Sequence, residues 1–136
     1  MPFNERGLGN VITAQAGADL SAKQFYAVSL VNDTSQPVPG VHMVVSTAAK
    51  ACTGILQDNP ISGQAGGIQV TGITPAAISA SQVVTAGTTY LEVDTGGTLL
   101  PHNAGTIVAL ALETVASTAS ITIISVQLLT SNATLT

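Results

Sequence analysis

The stretch from Gly54 to Gly72 constrains the fold of this chain more than any other segment, because it reads as two strands joined by a tight turn. Ile55 and Leu56 are typical of the end of a buried strand, and an Asn-Pro pair and a glycine then form the turn. The segment Ile68–Thr71 alternates apolar and polar residues, which predicts a half-buried strand. Asp58 is the one ionisable side chain of the stretch, so the unit indicates architecture rather than chemistry.

Further short strands are predicted along the chain, separated by turns rich in Gly, Pro and Asn. Between Asn10 and Ala22 small residues dominate, and no strand is predicted there. Thr74–Ala80 is predicted to hold one short helical turn, because Thr74 is a good N-cap and Pro75 suits the first helical position. The remaining apolar segments are predicted strands or buried runs: Gln24–Val31, Val41–Val45, Val83–Thr85, Thr89–Val93, Thr106–Glu113 and Ile121–Leu129.

This pattern predicts a mainly β fold, a single compact β-barrel or β-sandwich domain with at most one or two short helices. A chain of 136 residues fits one domain. Residues 1–9 show neither helical nor strand periodicity and are predicted to form an extended, flexible N-terminal arm. The predicted β-rich domain spans residues 10–130, and residues 131–136 form a polar C-terminal tail.

Charged residues make up only 7% of the chain, against roughly 25% in typical soluble domains. So few charges leave a surface that is either Ser-, Thr- and Gly-rich or covered by a partner, so we expect the chain to assemble. The cations Arg6, Lys23 and Lys50 are scattered, which argues against nucleic-acid binding. No apolar run is long enough to cross a bilayer, and the single Cys52 is typical of a small buried hydrophobe. We therefore expect no membrane or nucleic-acid partner.

One short catalytic signature is present, because Asp94-Thr95-Gly96 matches the D-T-G triplet of aspartic proteases. Two such Asp residues in a homodimer would share a proton and activate water. Gly97 after the triplet and Glu92 before it depart from the protease pattern. The two histidines, His42 and His102, have no His or Cys nearby in sequence that would form a metal site or a catalytic pair. The sequence thus predicts no enzyme, no cofactor, no metal and no small-molecule substrate, with a retropepsin-like homodimer as a remote alternative.

Several segments occur in an order and at a spacing that resemble the capsid cement, or head decoration, proteins of tailed bacteriophages. The resemblance runs from about Ala16 to Leu129. The matching segments are Gly54-Ile55-Leu56-Gln57-Asp58-Asn59-Pro60, Gly63-Gln64, Val70-Thr71-Gly72-Ile73, Val84-Thr85-Ala86-Gly87, Ala109-Leu110-Ala111-Leu112-Glu113-Thr114 and Ile123-Ile124-Ser125-Val126-Gln127-Leu128-Leu129. Within them, the residues expected to have structural roles are Gly54, Asn59, Pro60, Gly63, Gln64, Gly72, Gly87 and Glu113.

The resemblance implies a β-tulip-like domain, made in the host cytoplasm, that binds the outer surface of the mature head. It implies a homo-oligomer, expected to be a trimer, that ties neighbouring major capsid subunits together against internal DNA pressure. In related decoration proteins the N-terminal arm can add a strand to a capsid sheet. Here that contact would come from Pro2, Phe3, Asn4, Glu5, Arg6 and Leu8. A β-structured tail or fibre subunit of a virion is the alternative.

Overall fold

The computed structural model describes residues 10–33, 40–117 and 119–129, and the predicted arm and C-terminal tail lie outside them. The regular secondary structure of the described residues is entirely β-strand, so the mainly β prediction is confirmed. The strands are β1 Val11–Ala16, β2 Ala27–Asp33, β3 Gly40–Val45, β4 Gly54–Leu56, β5 Ala65–Gln69, β6 Gly72–Ile78, β7 Tyr90–Val93, β8 Leu99–Pro101, β9 Ala109–Ala111 and β10 Thr122–Leu128.

The helical turn predicted for Thr74–Ala80 is wrong, because most of this segment lies in strand β6. All seven residues of β6 pair antiparallel with β10, and Pro75 lies opposite Ser125. Seven cross-strand pairs outweigh the local preference of a Thr-Pro pair for a helix start. Proline has no backbone N–H, and it is tolerated at residue 75 because no neighbouring strand needs an N–H from this position.

The ten strands divide into two closed five-stranded barrels, and the chain completes the first before it starts the second. The first barrel has the order β1-β3-β2-β4-β5, and the second closes as β6-β8-β7-β9-β10. Val70 and Thr71 alone separate them in sequence. With the strands of each barrel numbered from its own first strand, the two orders are identical. The molecule therefore contains one topology twice.

The duplication extends to strand direction and to individual hydrogen bonds. In each barrel the first and third strands are parallel, as β1 and β3 and as β6 and β8, while the other neighbours are antiparallel. The Gly17 amide donates to the Met43 carbonyl at 2.9 Å, and the Ser79 amide donates to the Leu99 carbonyl at 2.8 Å. These two bonds occupy the same place in the two barrels, so residue 17 corresponds to residue 79.

Each barrel has an aliphatic interior, and two residues of the first barrel also contribute to the interior of the second. The smaller core contains Leu20, Val28, Met43, Leu56 and Ile68, all within the first half of the chain. The larger core fills the second barrel but also includes Ala27 and Ile55 of the first. On β10 the buried face carries Ile124, Val126 and Leu128, as the alternation in the sequence predicted.

A short segment of the first barrel, Phe25–Ala27, joins the barrels by lying between β6 and β8. The carbonyl of Phe25 accepts a hydrogen bond from the Ala77 amide at 3.0 Å, and the Ala27 amide donates to the Gly97 carbonyl at 2.8 Å. Gly97 is required at this contact, because an added Cβ would lie 2.6 Å from Cγ1 of Val45. The first barrel therefore fills the gap between the two parallel strands of the second.

Candidate binding surface

The Asp94-Thr95-Gly96 triplet forms the turn between β7 and β8, and the turn itself uses the Asp94 carboxylate. One oxygen accepts from the Ser79 hydroxyl at 2.6 Å, and the other accepts from the Thr95 amide at 2.7 Å. The Gly97 amide donates to the Asp94 carbonyl at 3.1 Å and closes the turn. This arrangement gives Asp94 a structural task within a strand connection.

Among the described residues, the most extensively bonded carboxylate belongs to Glu92, which lies on β7 and is 6% exposed. Its Oε1 accepts from the amides of Asn103 and Gly105 at 2.7 and 2.9 Å and lies 3.3 Å from Nδ1 of His102. Burial by itself raises the pKa of Glu92, but the two amides and His102 outweigh it and hold the pKa below its ordinary value. Glu92 thus holds the loop that follows β8 against the barrel.

His42 and Cys52 carry the other imidazole and the thiol of the chain. His42 is 3% exposed on β3, and its Nδ1 lies 3.1 Å from the Gly40 carbonyl. Burial raises the pKa of Cys52 to about 12, so its thiol stays protonated at neutral pH. Within residues 10–33, 40–117 and 119–129 no three His, Cys, Asp or Glu side chains group as metal ligands, and no helix could span a membrane.

The motif residues of the first barrel lie around the β4–β5 hairpin. Gly54 is buried, and a Cβ added there would overlap the carbonyl oxygen of Gln69 on β5. Pro60 is buried, and its carbonyl accepts from the Leu20 amide at 2.9 Å, whereas Asn59 is exposed in the turn. Gly63 has a φ of +85°, and Oε1 of Gln64 accepts from the Ile61 amide at 3.0 Å. These residues shape the turn.

The remaining motif residues lie in the second barrel. Gly72 begins β6 with a φ of +87°, and Gly87 has a φ of +76° in an exposed turn. Glu113 accepts a hydrogen bond from the Ser125 amide of β10 at 2.7 Å, which lowers the pKa of this exposed carboxyl group. Its carboxylate continues the ladder where β9 has ended at Ala111. The proposed arm contacts, Pro2, Phe3, Asn4, Glu5, Arg6 and Leu8, lie outside the described residues.

An uncharged face, which the sequence reasoning did not identify, lies on the outside of the second barrel. Leu110 on β9 is opposite Gln127 on β10, and Gln127 is opposite Ile73 on β6. Pro75 and Ile123 share this outward side, and Ile73 and Ile123 are 45% and 47% exposed. We call these five residues the outer face. The sequence signal for the outer face was the placing of Ile121 and Ile123 out of phase with the buried residues Ile124, Val126 and Leu128. The exposed apolar groups on neighbouring strands make the outer face a candidate for contact with another protein.

No protein-family model matches the chain, and none of the curated proteins matches it either. Among solved structures, its fold is similar to that described as "The crystal structure of head fiber gp8.5 N base in bacteriophage phi29". The TM-score is 0.63 at 12% sequence identity, over 93% of this chain and 98% of that chain. The likeness shows a shared fold across nearly the whole of both chains.

Proposed function

We propose that this chain is a structural protein of a tailed-bacteriophage head, bound to the outer surface of the mature capsid. The observation that carries the proposal is the fold shared with the base of a phage head fibre over nearly the full length of both chains. The low charge content supports it, because a subunit that is covered by partners does not need a charged surface. The role requires no catalysis, and the absence of enzyme activity remains a prediction.

The finer proposal is a cement role, in which copies of the chain link neighbouring major capsid subunits. The contacts would come from the arm residues Pro2 to Leu8 and from the outer face. A homotrimer would present three such sets, so that individually weak contacts hold through avidity. A second candidate is the base of a fibre, which would attach to the head without strengthening it. The fold shared with a head fibre base is the observation that favours this second candidate.

We expect the purified protein to co-sediment with mature heads that lack it. Ile73→Ser should weaken binding by about tenfold or more, because it removes an apolar contact from the outer face. Ile61→Ser is the matched control, since Ile61 is 52% exposed in the β4–β5 turn of the other barrel. A version lacking residues 1–9 tests the arm separately. Failure of the unmodified chain to bind expanded heads would contradict the proposed function.

The cement role and the fibre-base role predict different effects on the heat stability of DNA-filled heads. A cement protein should raise the temperature at which DNA-filled heads release their DNA, whereas a fibre base should bind and leave that temperature unchanged. The measurement is dye-accessible DNA against temperature, with and without bound protein.

A further inference from the structure

The strands have the same register in both barrels, so residues of one barrel can be matched to residues of the other. Counting back six residues from the equivalent pair Gly17 and Ser79 matches Val11 with Ile73. The cross-strand pairs extend this match over four neighbouring strands of each barrel, where the matched residues form a row on the outward side. We call Val11, Gln69, Ile55 and Ala27 the first row, and Ile73, Gln127, Leu110 and Tyr90 the second row.

The first row is a docking surface that the chain uses internally. Ala27 and Ile55 are fully buried and belong to the hydrophobic core of the second barrel. Gln69 is 7% exposed, and its Nε2 donates to the carbonyls of Thr71 and Ile73 at 3.1 and 2.9 Å. Three of the four residues in the row are therefore buried where the two barrels meet, and the glutamine binds the backbone at the start of the second barrel.

The second row has a similar composition but is open to solvent. Both rows are uncharged, and both place a glutamine between two aliphatic residues. In the second row Gln127 is exposed, Leu110 is half-buried, and Tyr90 and Ile73 are 44% and 45% exposed. Tyr90 replaces the small Ala27, and tyrosine is enriched in the buried parts of protein interfaces. The second barrel thus presents to solvent the counterpart of a surface that is buried in the first.

The charges of the second barrel indicate what kind of partner fits this row. Residues 72–128 contain no Lys or Arg, and their carboxylates belong to Glu92, Asp94 and Glu113. Each of these carboxylates accepts hydrogen bonds from within the chain. A charged partner group placed against the row would lose hydration without gaining an opposite charge. The row therefore favours an uncharged partner.

We propose that the second row binds an uncharged backbone segment of a protein on the head surface, and that the Gln127 side chain donates to carbonyl groups of that segment. Gln69 makes this contact within the chain, to two carbonyls of one segment. Tyr90, Leu110 and Ile73 supply the apolar contact around it. The inference rests on the proposed function, to which it adds the chemistry of the partner.

The equivalence of the two rows is tested first, on the protein alone. Gln69→Glu removes both donors from a buried position and places a carboxylate against the Ile73 carbonyl, so it should lower the midpoint of urea unfolding clearly. Gln127→Glu makes the same change in the exposed row and should leave the midpoint unchanged. Equal losses would show that the Gln127 side chain is required within the fold.

Binding to heads tests the proposal itself. Mature heads that lack the protein are titrated with each variant and sedimented. Gln127→Glu keeps the size of the side chain but removes its N–H donors, so affinity should fall about tenfold or more. Gln64→Glu is the matched control, because it adds the same charge at an exposed position of the first barrel and keeps the oxygen that accepts from Ile61. Tyr90→Ala removes apolar contact without adding charge and should also weaken binding.

The outcomes separate this inference from the proposed function. If the unmodified chain binds heads and both Gln127→Glu and Tyr90→Ala bind equally well, the inference is wrong and the proposed function stands. If the unmodified chain does not bind heads, the proposed function fails and the inference with it. Sedimentation velocity without heads covers the remaining occupant. Self-association that Gln127→Glu abolishes would assign the second row to a second copy of the chain and overturn the proposal.

Discussion

Replacing Gly54 by alanine is expected to abolish or severely weaken folding, by about 3 kcal/mol or more of unfolding free energy. The added Cβ would overlap the Gln69 carbonyl oxygen and would lie 2.8 Å from Cγ2 of Ile68. Both atoms belong to β5, so relief requires β4 and β5 to separate. Ile55, the next residue, packs in the core of the second barrel, so the damage would reach both barrels. Denaturant unfolding followed by circular dichroism measures the loss.

Gly87→Ala is the matched control for Gly54→Ala. Gly87 has a positive φ of 76° but no atom within 4 Å of an added Cβ. Its cost is therefore the left-handed conformation alone, about 1 kcal/mol. Equal losses for the two variants would show that close approach of β5 is not what requires glycine at residue 54.

The sequence predicts the class of the fold because its strand signals are local. The hairpin of β4 and β5 and the alternation along β10 were readable from turn residues and from periodicity. Asp58, predicted to be architectural, accepts from the Gly67 amide at 2.8 Å across that hairpin. Features that depend on residues close in sequence were therefore recoverable.

The division into two barrels was not predictable in the same way, because pairing between distant strands leaves no local signal. The predicted strand Gln24–Val31 begins as β2 only at Ala27, since Phe25 adopts a φ of 69° where the chain crosses to the second barrel. β1 was missed because Val11–Ala16 ends in small and polar residues, which give a weak strand signal. The repeated topology appears only when the hydrogen-bonded registers of the two halves are compared.

The outer face was missed for a related reason. Ile73, Leu110 and Ile123 are distant in sequence and share a face only through the register of β6, β9 and β10. The motif residues, in contrast, marked turns and close approaches, as Gly54 and Pro60 show.

The second large effect is expected for Glu92→Gln, which should lower the unfolding free energy at pH 7 by about 2 kcal/mol. The carboxylate accepts two amides in a nearly buried position, and glutamine offers a weaker, neutral acceptor. The loop it holds brings Gly105 against Ala49 of the first barrel, where an added Cβ would be 2.7 Å from the Ala49 Cα. Loosening this loop therefore weakens the junction between the barrels as well.

The pH dependence distinguishes loss of charge from loss of shape. The pKa of Glu92 is lower in the folded chain than its ordinary value of 4.5, so the unfolded chain binds the proton first as the pH falls. The stability contributed by the charge is therefore complete above that ordinary value and is lost as the pH drops through the folded-state pKa. The unmodified chain and Glu92→Gln should differ most at pH 7 and converge in acid.

Glu113→Gln is the matched control for this pH experiment, because Glu113 also accepts a backbone amide and also has a lowered pKa. It is exposed, so solvent screens its charge and its removal should change the profile much less. The measurement is urea unfolding at a series of pH values from 7 downwards for the three proteins. Parallel curves for the unmodified chain and Glu92→Gln would assign the loss to packing and contradict a role for the charge. If Glu92→Gln alone differs from the unmodified chain at pH 7 and converges with it in acid, protonation of the buried carboxylate weakens the junction between the two barrels through the loop after β8.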